Sequence, residues 1–534
     1  MVLIMPNFNT QTEHPELDTG IAVAKVFQAN QVETELVFAH EFPNLRTKLK
    51  QAQVPFFPWW NVFDAIQAVP FKMGVPMVLK DVPLEPGVEP FMDVNDAYYY
   101  REGRLVKHVH LLERYIVQFI TYYDENGERI TDYYDDRGFV TFRAWLNSAG
   151  ELEKKSWLTP AGQPVLTALA NQKVIVEPKH QKRFKSAVYH NIDEVVQEKI
   201  REHIQMLETK PAMILEENDV HLHEVLDNLA PELQKAIILM ADENHQQDAM
   251  ALPHDDLELV FTSDAARNAY FGTSEPTSNS HVISPYPARL ELGASNEMAN
   301  MNIVLQLADG LSPNDTTTLA QTLAQMLIAD ENKVMYACID GLSPDQVTFH
   351  LRVVEAFTKE IGITYNDADY KIFESTMERS MMSSEADVMD YLDQQYEKED
   401  REPISDEKQA QIIAAYQLRQ RFVVLDTPSM EKQLGLIKQA RVFVDLRRVP
   451  DAQLQAQALS TGLPQITVGA NTFVTQGVNG FVLADPMELP QALTYFTDDL
   501  KHWNEALVEN VRQVEQHSEF NLITAWEGLM NYGH

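Results

Sequence analysis

The sequence predicts an α/β protein built from two doubly wound, Rossmann-like halves, with an antiparallel β-sheet extension inserted in the first. Three observations predict it. Short apolar runs alternate with helix-period segments at both ends of the chain. Between about residues 96 and 182 this alternation gives way to aromatic and β-branched runs punctuated by glycine turns. At 534 residues the chain is too long for one hydrophobic core.

The first part, residues 1–95, opens with a strand at Val2 to Met5 and helical spacing from Leu17 to Ala29. A second strand follows from Glu33 to Ala39. In the extension, residues 96–182, Asn126-Gly127, Arg137-Gly138, Ala149-Gly150 and Ala161-Gly162 fall 11, 12 and 12 residues apart. Runs such as Tyr115 to Tyr123 and Gly138 to Leu146 lie between them, which is the pattern of a meander of hairpins. The segments Tyr133 to Phe139 and Trp157 to Gly162 read as copies of one hairpin unit.

The strand–helix texture returns over 183–295, with a helix from Ile192 to Leu207 and strands at Ala212 to Leu215 and Ala236 to Met240. Phe271 to His281, rich in Ser, Thr and Gly, reads as a loop. The second half, 296–534, starts with a strand at Asn302 to Leu307, a helix at Thr316 to Ile328 and a strand at Lys333 to Ile339. Met377 to Gln409 is a charged helical excursion. Strands at Phe422 to Leu425 and Val442 to Leu446 continue the sheet, and the chain is mostly helical after Glu488.

Charge narrows the partners. Forty-three basic side chains against 79 acidic ones leave a net charge of −36, which repels nucleic acid and anionic lipid and suits a basic face on another protein. The single cysteine, Cys338, lies in an apolar strand and excludes an intramolecular disulfide framework, as expected in a reducing compartment. Met1-Val2-Leu3-Ile4-Met5-Pro6 has neither the basic flank nor the apolar length of a signal peptide. No apolar run approaches the roughly 18 residues of a membrane span. A soluble cytoplasmic protein is expected.

The stretch from Val442 to Asp485 carries the first functional signal. A strand, a loop, a helix, the turn Thr461-Gly462-Leu463-Pro464, a short strand and Gly477-Val478-Asn479-Gly480 follow one another. This order resembles the second Rossmann-like domain of GT-B glycosyltransferases, in which two such domains face a cleft. There a Glu-x7-Glu pair precedes the turn glycine and holds the sugar donor. The corresponding positions here are Val449 and Gln457. A valine makes no charge-assisted hydrogen bond and Gln457 offers only a neutral dipole. The family's basic diphosphate clamp is also missing. The matching loop, Leu307 to Asp315, is acidic or neutral, and no Arg or Lys occurs between Met301 and Glu331. The resemblance therefore implies a GT-B scaffold without catalytic residues, cofactor or metal.

A wider resemblance covers most of the chain. Trp60 to Gln67, Tyr134 to Phe139, Ile283-Ser284-Pro285-Tyr286, Pro450-Asp451, Gly462 to Ile466, Val478-Asn479-Gly480 and Trp503-Asn504 occur in the order found in one family. That family is the glycosyltransferase-like component of the accessory Sec system of Gram-positive bacteria, the first of three accessory secretory proteins. The resemblance implies a non-catalytic scaffold or chaperone for export of serine-rich-repeat glycoprotein adhesins. Its implied partners are the two sister accessory proteins, the accessory motor ATPase and translocon, and the glycosylated adhesin preprotein. Contact with the inner face of the membrane is implied only through these partners. Phe8 and Asn9 stand where the family commonly carries a tryptophan-tyrosine pair.

Other constellations read more simply as structure. Asp367-Ala368-Asp369 matches the metal-holding Asp-x-Asp of GT-A enzymes but is also an ordinary surface carboxylate pair. His221 and His223, with His190 and His203, lack metal-site spacing. Asp255-Asp256 after His254 could be an acid/base cluster but reads more simply as a helix or turn start after Pro253. Ser280 and Ser384 sit in no nucleophile elbow, and no Walker or Gly-x-Gly-x-x-Gly pattern occurs. Phe56, Phe57, Trp59, Trp60 and Phe63, with tyrosines 98–100, 122–123 and 133–134, admit three readings: core, protein interface or glycan contact. The competing functional reading is an active GT-B transferase modifying a serine-rich adhesin, with Asn479 and Gly480 touching the donor.

Overall fold

A computed structural model of the chain describes residues 1–530 except 217–228, 241–256, 308–309, 311, 340, 365, 380–383 and 399–400, and except the side chain of residue 296. The first half is a seven-stranded parallel sheet. Its spatial order is Ser280–Val282, Glu258–Phe261, Lys235–Met240, Ala212–Glu216, Val2–Met5, Thr34–Phe38 and Trp59–Asn61. Alternate residues of the central strands feed two cores, one on each face. Leu3, Met5 and Val37 belong to one, and Val2, Ile4, Leu36 and Phe38 to the other. Continuous apolar runs are what a sheet covered on both faces requires.

The second half is a six-stranded parallel sheet. Its order is Phe422–Asp426, Lys333–Ile339, Met301–Gln306, Val442–Asp445, Gln465–Thr467 and Gly480–Val482. Helices here start on caps that the sequence supplies. Ser312, Ser343, Ser405 and Ser429 each accept the backbone N–H three residues on. Such caps contribute about 1 kcal/mol apiece.

The extension is a ten-stranded antiparallel sheet in which every strand pairs with its sequence neighbours, from Glu89–Met92 to Val188–Tyr189. Its hairpins repeat one turn. Gly138, Gly150 and Gly162 have φ of +96°, +85° and +75° and donate their N–H to Asp135, Asn147 and Thr159. Phe142, Trp157, Val165 and Leu166 join the first half's core, whereas Ala97, Tyr99, Val109 and Ile120 form a separate cluster farther out. Glu41 ties the root down by accepting the Trp157 indole N–H at 2.8 Å and pairing with Lys155.

Two features depend on contacts between sequence-distant segments. Helices Ala368–Arg379 and Glu385–Lys398 pack with Asp406–Gln420 around a satellite core of Phe373, Val388, Leu392 and Ile412. The final helix, Glu519–Met530, crosses back to the first half, where Trp526 is fully buried edge-on to Phe27.

Candidate functional site: the interdomain crevice

The carboxyl ends of the second sheet are where a doubly wound fold binds ligands, at the point where strand order reverses. Here Met301–Gln306 and Val442–Asp445 lie side by side, with Gln306 opposite Asp445. Their polar ends are committed to neighbours. Asp445, fully buried, accepts Arg447 Nε at 2.9 Å and Nη2 at 2.6 Å, together with the Asp451 N–H. Gln306 donates to Gln433 Oε1 at 2.9 Å.

The loop beyond Asp445 carries Val449, which is 5% exposed and belongs to the apolar cluster of the first half. Val449 thus joins the second half to the first by hydrophobic contact. Asp451 then caps the helix Ala452–Ser460 by accepting the N–H groups of Gln453 and Leu454, both at 2.9 Å. Gln457 lies inside this helix, half-buried, and its Nε2 finds no partner among the described residues.

The wall opposite is acidic. Asp18 caps the helix Thr19–Ala29, and Glu216 accepts the Gly20 N–H at 2.7 Å. Burial pushes the Asp18 carboxyl up to about 6 and also raises that of Asp451. The Tyr286 phenol is pushed up as well, first by burial and then by Asp451, Asp18 and Glu216. Carboxylates from both halves therefore act on one phenol. A nucleoside diphosphate entering here would meet like charge. No sequence pattern links positions 18, 216, 286 and 451, whose charges act on one another only in the folded chain.

The other elements expected at a donor site are bonded within the fold. Ser312 and Asp315 occupy the start of the helix Pro313–Ala329, and the Gly310 N–H donates to Asp345 Oδ2 at 3.0 Å. Residues 308, 309 and 311 of the expected phosphate loop lie outside the described residues. Asn479, expected to face a donor in the transferase reading, is buried instead. Its Oδ1 accepts the Thr475 N–H at 2.6 Å, and its Nδ2 donates to Phe473 O and Asn510 Oδ1, each at 2.8 Å. Gly480 is required by close approach, because a Cβ there would lie 2.1 Å from the Gln465 carbonyl oxygen.

Of the other candidates, Asp369 accepts Tyr396 Oη at 2.7 Å and pairs with Lys408, which also holds Asp367 at 3.0 Å; the Asp-x-Asp is an ion-paired clasp on the satellite helices. His203 pairs with Glu35 at 2.6 Å and stacks on Trp60, while exposed His190 pairs with Glu194 at 2.9 Å. His221, His223, His254, Asp255 and Asp256 lie outside the described residues. Phe57, Trp59, Phe63 and Tyr99 are core, whereas Phe56 is 91% exposed. Cys338 is buried, which pushes its thiol up to about 11. Among the described residues no helix is long and apolar enough to cross a membrane.

The model of the family described as accessory Sec system protein, first of the Asp series, matches residues 4–532. A protein of that description from Streptococcus gordonii is 24% identical over 528 residues, covering 96% of this chain and 92% of the relative. One from Staphylococcus aureus is 22% identical over 561 residues, covering 98% and 95%. The fold is shared with the structure of accessory secretory proteins 1, 2 and 3 of Streptococcus pneumoniae (TM-score 0.67, 19% identity, 99% of both chains). It is also shared with a pneumococcal O-GlcNAc transferase, GtfA, in complex with UDP and GlcNAc (TM-score 0.61, 12% identity, 99% and 98% covered). The architecture is thus the GT-B glycosyltransferase one.

Proposed function

Because the chain belongs to the family of the first accessory Sec system protein, matched over residues 4–532, we propose that it is a non-catalytic GT-B scaffold of that export machinery. It holds the two sister accessory secretory proteins and works in the cytoplasm beside the accessory motor ATPase and translocon. The glycosylated adhesin preprotein is its cargo. The observation that carries the non-catalytic reading is Val449, which fills the first acid's place with a buried aliphatic side chain packed on the opposite half. The acidic wall of Asp18, Glu216 and Asp451 supports it, since a donor diphosphate needs cations there.

Two measurements on the purified chain test this. Titration calorimetry with UDP-sugars and free UDP should give no heat at millimolar ligand. Sedimentation with the two sister proteins should give a saturable complex without any nucleotide sugar. Micromolar donor binding with turnover would restore the transferase reading, and absence of the complex would remove the scaffold reading.

A further inference from the structure

The outward face of the extension carries a hollow that is separate from the crevice. Strands Val140–Leu146, Leu152–Leu158 and Pro164–Leu169 turn Phe142, Trp157 and Leu166 inward to the core of the first half. On their other face the register sets Trp145 opposite Lys154, Arg143 opposite Ser156 and Ser156 opposite Thr167. With Glu177 these side chains line a cavity of about 480 Å³, the size of a small-ligand site. Leu158 and Pro164 give it an apolar border. From the strand of Trp145 to Glu177, which follows the strand Val174–Val176, is three strand spacings, about 14 Å.

A sheet face left to water is ordinarily polar, but this one is hollow and part of its polar capacity is unspent. Arg143 is fixed by Asp132, with Nη2 2.8 Å from Oδ2. Ser156 and Thr167 share a hydrogen bond of 2.9 Å, and Thr167 Oγ1 donates to Glu177 Oε1 at 3.3 Å. These contacts hold the lining in place before any ligand arrives, which lowers the entropic cost of binding. Lys154 rests on the half-buried indole of Trp145, with Nζ 4.3 Å from the ring centroid. Neither Lys154 nor Glu177 enters an ion pair among the described residues. One charge of each sign therefore stands free, on different strands of the same hollow.

The lining selects the class of ligand. Arg143 and Lys154 are balanced by Asp132 and Glu177, so the hollow has no net charge and favours neither a nucleotide nor a polycation. Hydroxyl, carboxylate, ammonium and guanidinium groups present donors and acceptors beside an indole. That mixture fits a molecule with hydroxyls around its edge and C–H groups on its face, which is a pyranose ring. We propose that this hollow binds the glycan of the preprotein, with a sugar ring against Trp145 and its hydroxyls shared among Arg143, Lys154, Ser156 and Glu177. Lys154, held by no carboxylate, turns from the indole to a sugar hydroxyl as the ring arrives. This rests on the reading of a glycosylated preprotein as cargo, and it gives the scaffold a hold on the sugar away from the acidic crevice.

The test titrates the full chain, by calorimetry, with a serine-rich peptide carrying O-linked GlcNAc and with the same peptide bare. The glycopeptide should bind saturably, and the bare peptide at least about tenfold more weakly. Trp145→Ala should weaken glycopeptide binding at least about tenfold, and Trp145→Phe, which keeps a ring, should restore most of it. Glu177→Gln, nearly unchanged in shape, should weaken binding without moving the melting transition. All three variants should still assemble with the two sister proteins. Glycopeptide binding that survives both Trp145→Ala and Glu177→Gln overturns the site, as does absence of glycopeptide binding at millimolar concentration; an intact sister complex then leaves the scaffold reading standing. Equal affinity for the bare peptide overturns the glycan as ligand. Glycopeptide binding lost in these variants, from a wild-type chain that forms no sister complex, supports the site and removes the scaffold reading alone.

Discussion

Arg137 grips Asp64 at two points, with Nη1 2.8 Å from Oδ2 and Nη2 2.7 Å from Oδ1, across 73 residues of chain. The same guanidinium donates to Asp135 through Nε at 2.6 Å and Nη2 at 2.7 Å, and to the Phe71 carbonyl at 3.1 Å. It is nearly enclosed, with its cation over the Trp59 and Phe139 rings at 5.8 and 5.4 Å. The extension is therefore fastened to the first half by one fully used arginine at its root.

Removing one partner of such a pair leaves a buried charge uncompensated. Asp64→Ala should destabilise the first half by about 3–5 kcal/mol, read as a lower denaturation midpoint. Arg137→Lys should recover little, because an ammonium cannot span two carboxylates as a fork does.

The neighbouring Asp136 supplies a pH signature. Burial first, and the charge of Asp135 next, raise its carboxyl from 3.8 to about 6. The folded state binds this proton more tightly than the unfolded chain, so stability from the group is full below about 3.8 and is lost as pH rises through about 6. The loss is of order 3 kcal/mol. Asp136→Asn should remove that slope, leaving a flatter unfolding free energy between pH 4 and pH 6 in paired denaturation curves.

Val449→Glu with Gln457→Glu reinstates both acids of the Glu-x7-Glu pattern. We expect no sugar transfer from UDP-GlcNAc, since the acidic wall and the cation-free loop at 307–315, with Asp309 and Asp315, remain. The glutamate at 449 should also lower the melting temperature, because it is placed in an apolar contact. Turnover in a radiolabelled-donor assay is the contrary result.

Asn479→Ala removes an acceptor for Thr475 N–H and two donor contacts inside a buried network. A cost of about 2–3 kcal/mol is expected, with unchanged calorimetric response to nucleotide sugars. A selective loss of donor binding without loss of stability would restore the residue's ligand role.

Asp369→Asn should loosen the satellite helices, detected as faster hydrogen exchange over 368–408. Chelator or added Mn²⁺ should leave the wild-type melting curve in place, since Lys408 and Tyr396 already occupy both Asp369 oxygens.

How much of this was legible beforehand differs by element. The strand Lys333–Ile339 and the helix from Ile192 stand where apolar spacing puts them, because each element's period is written locally. The hairpin glycines announced the meander for the same reason, positive φ being a local demand. Met377 to Gln409 looked like a solvated excursion, yet Val388, Met389 and Leu392 build a core that only the folded helices reveal. The crevice divides in the same way. Val449 and Gln457 are singled out only by their distance from the turn glycine, a matter of local spacing. The mutual influence of Asp18, Glu216, Tyr286 and Asp451 is not so marked, since no pattern links residues that act on one another only in the folded chain. Asn479 was legible as a turn residue, but whether its amide faced ligand or interior depended on Asn510, 31 positions away.

The return of the helix Glu519–Met530 to the first sheet bears on biosynthesis. Trp526 and Leu522 complete a face whose other members, such as Val2, Ile4 and Phe27, leave the ribosome first. That face is not complete until Leu522 and Trp526 have been made, so the half begun first depends on a helix far downstream. A nascent chain must wait, partly assembled, for this helix, and truncation ahead of Glu519 would uncover apolar surface of the opening domain rather than of its neighbours in sequence.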